Sequence, residues 1–164
     1  MLADTRRTSV INQRVRAILL TGDGSILVIK RVKPDRTAPY WVAPGGGVEW
    51  TDYDLIAALE RELYEELGAA ATVLATAFVL EHQKAGKDLE EHFFVCLLND
   101  FDLSKRYGPE FSDPARGEFI PEFVPLDSAP LDGIRFKTPE LRDWMRRHMD
   151  YLRSIRLEPM GIEV

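Results

Sequence analysis

Residues 45–69, GGGVEWTDYDLIAALERELYEELGA, constrain this chain more than any other stretch. They read as a glycine loop, a short polar connector and one amphipathic helix stopped by Gly68. Successive helical residues sit about 100° apart. Winding residues 54–67 on that rule gathers Leu55, Ile56, Leu59, Leu63 and Leu67 into one arc of roughly 120°, the width of a core-facing stripe. Glu62, Glu65 and Glu66 form a second stripe at the i, i+3, i+4 spacing that sets side chains side by side. The acidic stripe abuts the apolar one, and Glu66 points only about 40° from the apolar centre.

An isolated helix gains nothing from that arrangement. Like charges at these spacings disfavour it by roughly 0.2–0.5 kcal/mol per pair. Glu65 and Glu66 also lie in the last turn, where the helix dipole disfavours anions by about 0.3–1 kcal/mol each. A solvated acidic face would centre opposite the leucines, where Arg61 and Tyr64 stand instead. Three carboxylates converging at the wrong helix end, half turned toward the core, want a cation. Hard oxygen donors without Cys or His select Mg²⁺ or Mn²⁺ over zinc.

The run Arg61-Glu62-Leu63-Tyr64-Glu65-Glu66-Leu67-Gly68-Ala69 resembles the REUxEExGU half of the Nudix box (U aliphatic), and Gly46 matches the glycine that opens it. The family pattern is G-x5-E-x7-REUxEExGU. Here Asp52 stands at the first acidic position, and eight residues separate it from Arg61 where the pattern has seven, so the connector is one residue longer. Metal ligands Glu62, Glu65 and Glu66 follow from the resemblance, with Arg61 holding a carboxylate from the side and Glu62 a shared ligand or the base. It further implies a carbonyl ligand from the glycine loop, taken as Gly46, and an acid from a later loop, as metal ligand or base. Glu118 is the first choice for that acid, with Glu110 and Glu122 behind it. The fold class is α+β, and the resemblance implies an α/β/α sandwich with a mixed sheet between helices.

Around the box, residues 14–20 and 26–32 are β-rich runs joined by Thr-Gly-Asp-Gly-Ser, a hairpin signal. Lys30, Arg31, Lys33 and Arg36 follow as a basic cluster, either plain surface charge or contacts to phosphate. Arg31, Lys33, Trp41, Gly45, Gly46 and Gly47 are the expected substrate-binding residues. In the connector, Trp50 and Tyr53 are expected to pack over the helix start, with a place at the substrate mouth as the other reading. Residues 71–81 and 91–98 read as a second hairpin, 100–117 as a long polar loop, and 119–126 as an edge or bulged strand carrying Pro121 and Pro125. Thr138-Pro139 opens a last helix with Leu141, Trp144, Met145, His148, Met149 and Leu152 on its buried face.

A chain of 164 residues suits one domain, drawn at 14–157 between a lead-in, 1–13, and a tail, 158–164. A net charge of −6 argues against a dedicated RNA or DNA binder. No apolar run approaches a membrane span. Cys96 is the only cysteine, lies in an apolar run and reads as a buried thiol in a cytoplasmic protein. The expected partner is a nucleotide-type small molecule, and homodimers are common in the family. The activity expected is Mg²⁺-dependent hydrolysis of the diphosphate in a nucleoside triphosphate, ADP-ribose or dinucleotide type of compound. The alternative is a non-catalytic nucleotide sensor on the same fold, which would be expected to have lost the box glutamates.

Overall fold

Alternation along the first strand already shows a sheet buried on both faces. In β1 (Asn12–Leu20), Val15, Ala17 and Leu19 join one hydrophobic cluster, while Ile18 and Leu20 join another. The computed structural model describes residues 12–35 and 37–155. Arg36, the tail 158–164 and most of the expected lead-in therefore lie outside the described residues. Asn12 and Gln13, assigned to that lead-in, instead open β1, where they pair with Leu89 and Glu90.

β1 turns through residues 21–24 into β2 (Ser25–Val32), and the two pair only at Leu19–Leu27 and Leu20–Ile26. Beyond that register they splay. β3 (Tyr40–Val42) pairs with β2 and β4 (Gly45–Gly47) with β1 in the space between them. The expected glycine loop is thus a short strand. Gly45 has φ +147°, and a Cβ there would lie 1.9 Å from the Val15 carbonyl oxygen, so only glycine lets β4 lie against β1.

α1 (Leu55–Leu67) starts and stops where the sequence says. Asp54 accepts a 2.7 Å bond from the Ala57 N–H, and Gly68 ends the helix in the left-handed region at φ 60°. Ala58, Leu59, Leu63, Glu66 and Leu67 are buried. Ile56, expected in the core stripe, is 41% exposed. Ile56 falls between Leu63 and Leu67 in angle, so its place in the first turn, short of the buried run that begins at Ala58, leaves it exposed. Trp50 and Tyr53 are 95% and 93% exposed, so neither packs over the helix start.

β5 (Ala69–Lys84) and β6 (Lys87–Phe101) run well past the expected limits and meet at a two-residue turn, Ala85-Gly86, with φ of 53° and 77°. β6 lies parallel to β1. The chain returns through residues 102–117 to β7 (Glu118–Pro125), which pairs with the outer edge of β2 and carries both prolines. After a short α2 (Ser128–Asp132), the expected last helix is two, α3 (Pro139–Arg147) and α4 (Met149–Ser154). The break falls at His148, whose imidazole stacks on Trp144 with ring centroids 4.1 Å apart.

Leu59, Leu63 and Leu67 pack on one face of the sheet, and Leu141, Trp144, Met145 and Leu152 on the other. That is an α/β/α sandwich. Cys96 is fully buried on the α1 side, and burial pushes its thiol up to about 12.

Candidate active site

The acidic half-turns of α1 face the splayed strands. Glu66 is buried, and its Oε1 accepts from the Gly45 N–H at 3.0 Å. Burial pushes this carboxyl up to about 7, against the weaker pull of that N–H and of Arg16. Glu62 is half-buried and likewise raised, by burial first and then by Glu65, with Arg61 opposing. A Cβ on Gly46 would fall within 2.5 Å of the Glu62 carboxylate. The backbone therefore comes right up to the acid, and glycine at position 46 is a condition of that approach.

Arg61 answers the connector question. Its Nε and Nη2 donate to the two Asp52 oxygens at 2.8 and 2.9 Å, a bidentate pair. Nη2 also donates to the Gly47 carbonyl at 3.0 Å, and Nη1 reaches Glu62 at 3.2 Å and Glu65 at 3.3 Å. Asp52 is held below its usual range by that guanidinium, and its other contact is the Glu49 N–H at 2.7 Å. The extra connector residue is taken up in this turn, with Trp50 and Tyr53 thrown outward and Asp52 still reaching Arg61.

The loop 102–117 closes the C-terminal end of α1. Tyr107 N–H donates to the Glu65 carbonyl at 2.9 Å, Arg106 Nε to the Glu66 carbonyl at 2.8 Å, and Asp102 N–H to the Gly68 carbonyl at 3.0 Å. These are carbonyls the helix leaves without partners of its own. Arg106 supplies the positive charge that the last turn lacks. It also stacks on Phe111, and its Nη2 is buried without a partner among the described residues. Sequence reasoning missed Arg106, because nothing local links it to a helix that ends 39 positions earlier.

So docked, the loop brings Glu110 to the wall of a cleft of about 560 Å³, together with Glu62, Glu66 and Gly45–Gly47. Glu118, the first choice for the late acid, is exposed at the start of β7 and does not line this cleft. Glu122 accepts from the Trp41 indole at 2.6 Å, away from the cleft. Arg31 and Lys33 do line it, and Arg31 is braced by the Glu118 and Arg116 carbonyls and by the Phe119 ring, 3.7 Å away. Trp41 lines an adjoining pocket instead. Lys30, from the same basic run, lies over the Trp41 ring.

The trio does not converge as it stands. Glu65 turns to Arg61 and to the Tyr107 hydroxyl at 3.4 Å, while Glu66 turns to Gly45. Among the described residues no three His, Cys, Asp or Glu side chains are grouped to hold a metal ion. Like charges repel, and here Arg61 holds Glu62 and Glu65 while Glu66 turns to the Gly45 amide. The donor set nonetheless fits a hard divalent cation. Glu62 and Glu66 are acids that burial disfavours in the charged form, on adjacent turns of one helix and at one cleft.

Residues 11–147 match the NUDIX domain family model. No curated protein matches the chain. Similar solved structures include a Nudix hydrolase from Nitrosomonas europaea, 21% identical over 94% of this chain and 97% of that one, with a TM-score of 0.64. A MutT Nudix hydrolase from Burkholderia pseudomallei is 27% identical over 84% and 98%, TM-score 0.56. An Ap4A hydrolase from C. elegans shares 17% identity over 88% and 99%, TM-score 0.59. With a family match over most of its length and this sandwich around an acidic helix, the chain belongs to the Nudix family of hydrolases.

Proposed function

We propose that this protein hydrolyses the diphosphate linkage of a nucleotide-type compound, with Glu62, Glu65 and Glu66 holding Mg²⁺, or Mn²⁺ in its place. The observation that carries the reading is Glu66, a buried carboxylate on the box helix that accepts from the Gly45 amide, at a cleft with cationic walls. Structural relatives include proteins named as an Ap4A hydrolase and a UDP-X diphosphatase, which supports a diphosphate-linked substrate class.

When bound, the cation neutralises the diphosphate and lowers the pKa of an attacking water. The protein's own groups do the rest. Arg31, Lys33 and Arg116 give the phosphates a positive wall opposite the acids. Arg61, tied to Asp52 and Gly47, fixes the helix face and the rotamer of Glu65. Glu110, from the loop docked on the helix end, takes the proton from water, one of the two roles, ligand or base, first considered for Glu118. Water attacks one phosphorus, the bond to the bridging oxygen breaks, and two phosphate-ended products leave. A reducing cytoplasm suits the lone buried thiol of Cys96.

A panel of nucleoside di- and triphosphate compounds with Mg²⁺, read by release of phosphate or monophosphate, tests the reading. Glu110→Gln should lower kcat by at least tenfold, and Glu118→Gln should change it by less than threefold. Absence of Mg²⁺-dependent release across the panel would overturn the activity, and the reverse order of the two variants would overturn the choice of base.

A further inference from the structure

The phosphate-facing cleft does not end at the acids. It runs through the splay between β1 and β2 into a second pocket of about 390 Å³ on the α3 side of the sheet, and Arg14, Arg16, Val42 and Lys137 belong to the walls of both. Lys84, from the end of β5, joins Arg14, Arg16 and Lys137 around the second pocket. Four cations thus gather where three elements meet: Arg14 and Arg16 two residues apart on one face of β1, Lys84 at the tip of the β5–β6 hairpin, and Lys137 just before α3.

Among the described residues, Arg16 alone of the four is ion-paired. Arg16 Nε donates to Glu91 at 2.7 Å, and its Nη1 to the Ala43 carbonyl. Glu91 is also shared with His82 at 3.5 Å. Arg14, Lys84 and Lys137 make no ion pair among the described residues, although Glu81 and Glu140 stand on the same pocket wall. Lys137 is held below the usual lysine range by partial burial and by Lys84, Arg16 and Arg14 together. On a chain with net charge −6, gathering like charges in a concavity costs free energy that an anionic ligand would recover.

We propose that Arg14, Lys84 and Lys137 form a second anion subsite that takes a phosphate group of the substrate distal to the scissile diphosphate. This rests on the diphosphatase reading above, and it narrows the substrate to one that bears a further phosphate beyond the bond that is cut. Two sources share that chemistry: the far end of a longer polyphosphate chain, or a phosphomonoester on the sugar. Arg14 and Lys137 line the cleft of Glu62 and Glu66 as well as the second pocket, Lys84 lines the second, and Arg16, which attracts Glu66 and repels Lys137, marks the join.

Two experiments test it, and they fail separately. Without magnesium, inorganic phosphate is titrated into the ¹⁵N-labelled protein and amide shifts are followed. Shifts at residues 14, 84 and 137 that vanish in Lys84→Ala/Lys137→Ala are expected. Lys84 is exposed and Lys137 only partly covered, so the double variant should fold, as circular dichroism can check. Shifts confined to Arg31, Lys33 and Arg116, or unchanged in the variant, would overturn the subsite whatever the activity. With magnesium, kcat/KM is compared within two pairs, diadenosine diphosphate against tetraphosphate, and NADH against NADPH. At least a tenfold preference for the more phosphorylated member of one pair is expected, and that pair identifies the source. The preference should fall to within threefold of unity in the double variant and return in part with Lys84→Arg/Lys137→Arg. Equal rates within both pairs, or a preference that survives the double variant, would refute the proposal. Absence of turnover throughout would count against the diphosphatase reading, leaving the titration to decide the subsite.

Discussion

Replacing Glu66 with glutamine should stabilise the metal-free protein while silencing it. Burial raises this carboxyl from 4.5 to about 7. Between those two values the folded chain holds a proton that the unfolded chain has released, so unfolding free energy falls as pH rises through that window. Each tenfold change in proton affinity is worth about 1.4 kcal/mol, so the ionised side chain costs the fold about 3 kcal/mol by pH 8. Glutamine carries no charge, and its Oε1 can still accept from the Gly45 N–H. With EDTA at pH 8, Glu66→Gln should therefore unfold about 2–3 kcal/mol harder than the wild type, or about 4–10 °C higher for a chain of this size. The difference should shrink toward zero at pH 5, where both forms are neutral. Adding Mg²⁺ should raise the wild type selectively, because a cation bound only by the folded state stabilises it by mass action. Urea denaturation at pH 5, 6, 7 and 8, with and without Mg²⁺, gives these numbers, and turnover on the same samples should drop by orders of magnitude. A variant less stable than the wild type at pH 8 in EDTA would refute the reasoning, since Glu66 would then be satisfied without a cation.

Three further substitutions or reactions separate structure from chemistry. Gly46→Ala places a methyl within 2.5 Å of the Glu62 carboxylate, which is the free end of a flexible side chain. It should fold with less than about 1 kcal/mol of loss yet reduce kcat at least tenfold, and unchanged kcat would show that Glu62 is free to move. Arg61→Ala leaves Asp52, only 6% exposed, without its bidentate partner. A loss of about 3 kcal/mol is expected on denaturant unfolding, and a loss under 1 kcal/mol would mean that water replaces the guanidinium. Cys96 should react with a thiol reagent only as fast as the native protein opens, since burial holds its pKa at about 12. Labelling within seconds in buffer would contradict that burial.

The box helix was legible because everything that defines it is local. Asp54 caps and Gly68 stops within one turn of the residues they serve, and the leucine period needs only the helix geometry itself. Burial of Glu66 was legible for the same reason: its angle lay close to the apolar centre. Ile56 shows the limit of that method, because angle alone does not say which turns of the stripe the sheet covers. Gly45–Gly47 reads as a loop from composition and is a strand because β1, some 30 residues away, supplies its partners. Trp50 and Tyr53 are apolar by type, yet among the described residues no element folds back to cover them. The late acid was the least legible. Glu110, Glu118 and Glu122 are alike in sequence, and only the docking of Asp102, Arg106 and Tyr107 on the carbonyls of α1 aims the first of them into the cleft. The sequence by itself determined the helix, its caps and the presence of acids that want a cation, since these follow from side chains a few residues apart. The tertiary structure alone decided which distant acid and which cations face them, because strand pairing and loop docking join residues that share no local period.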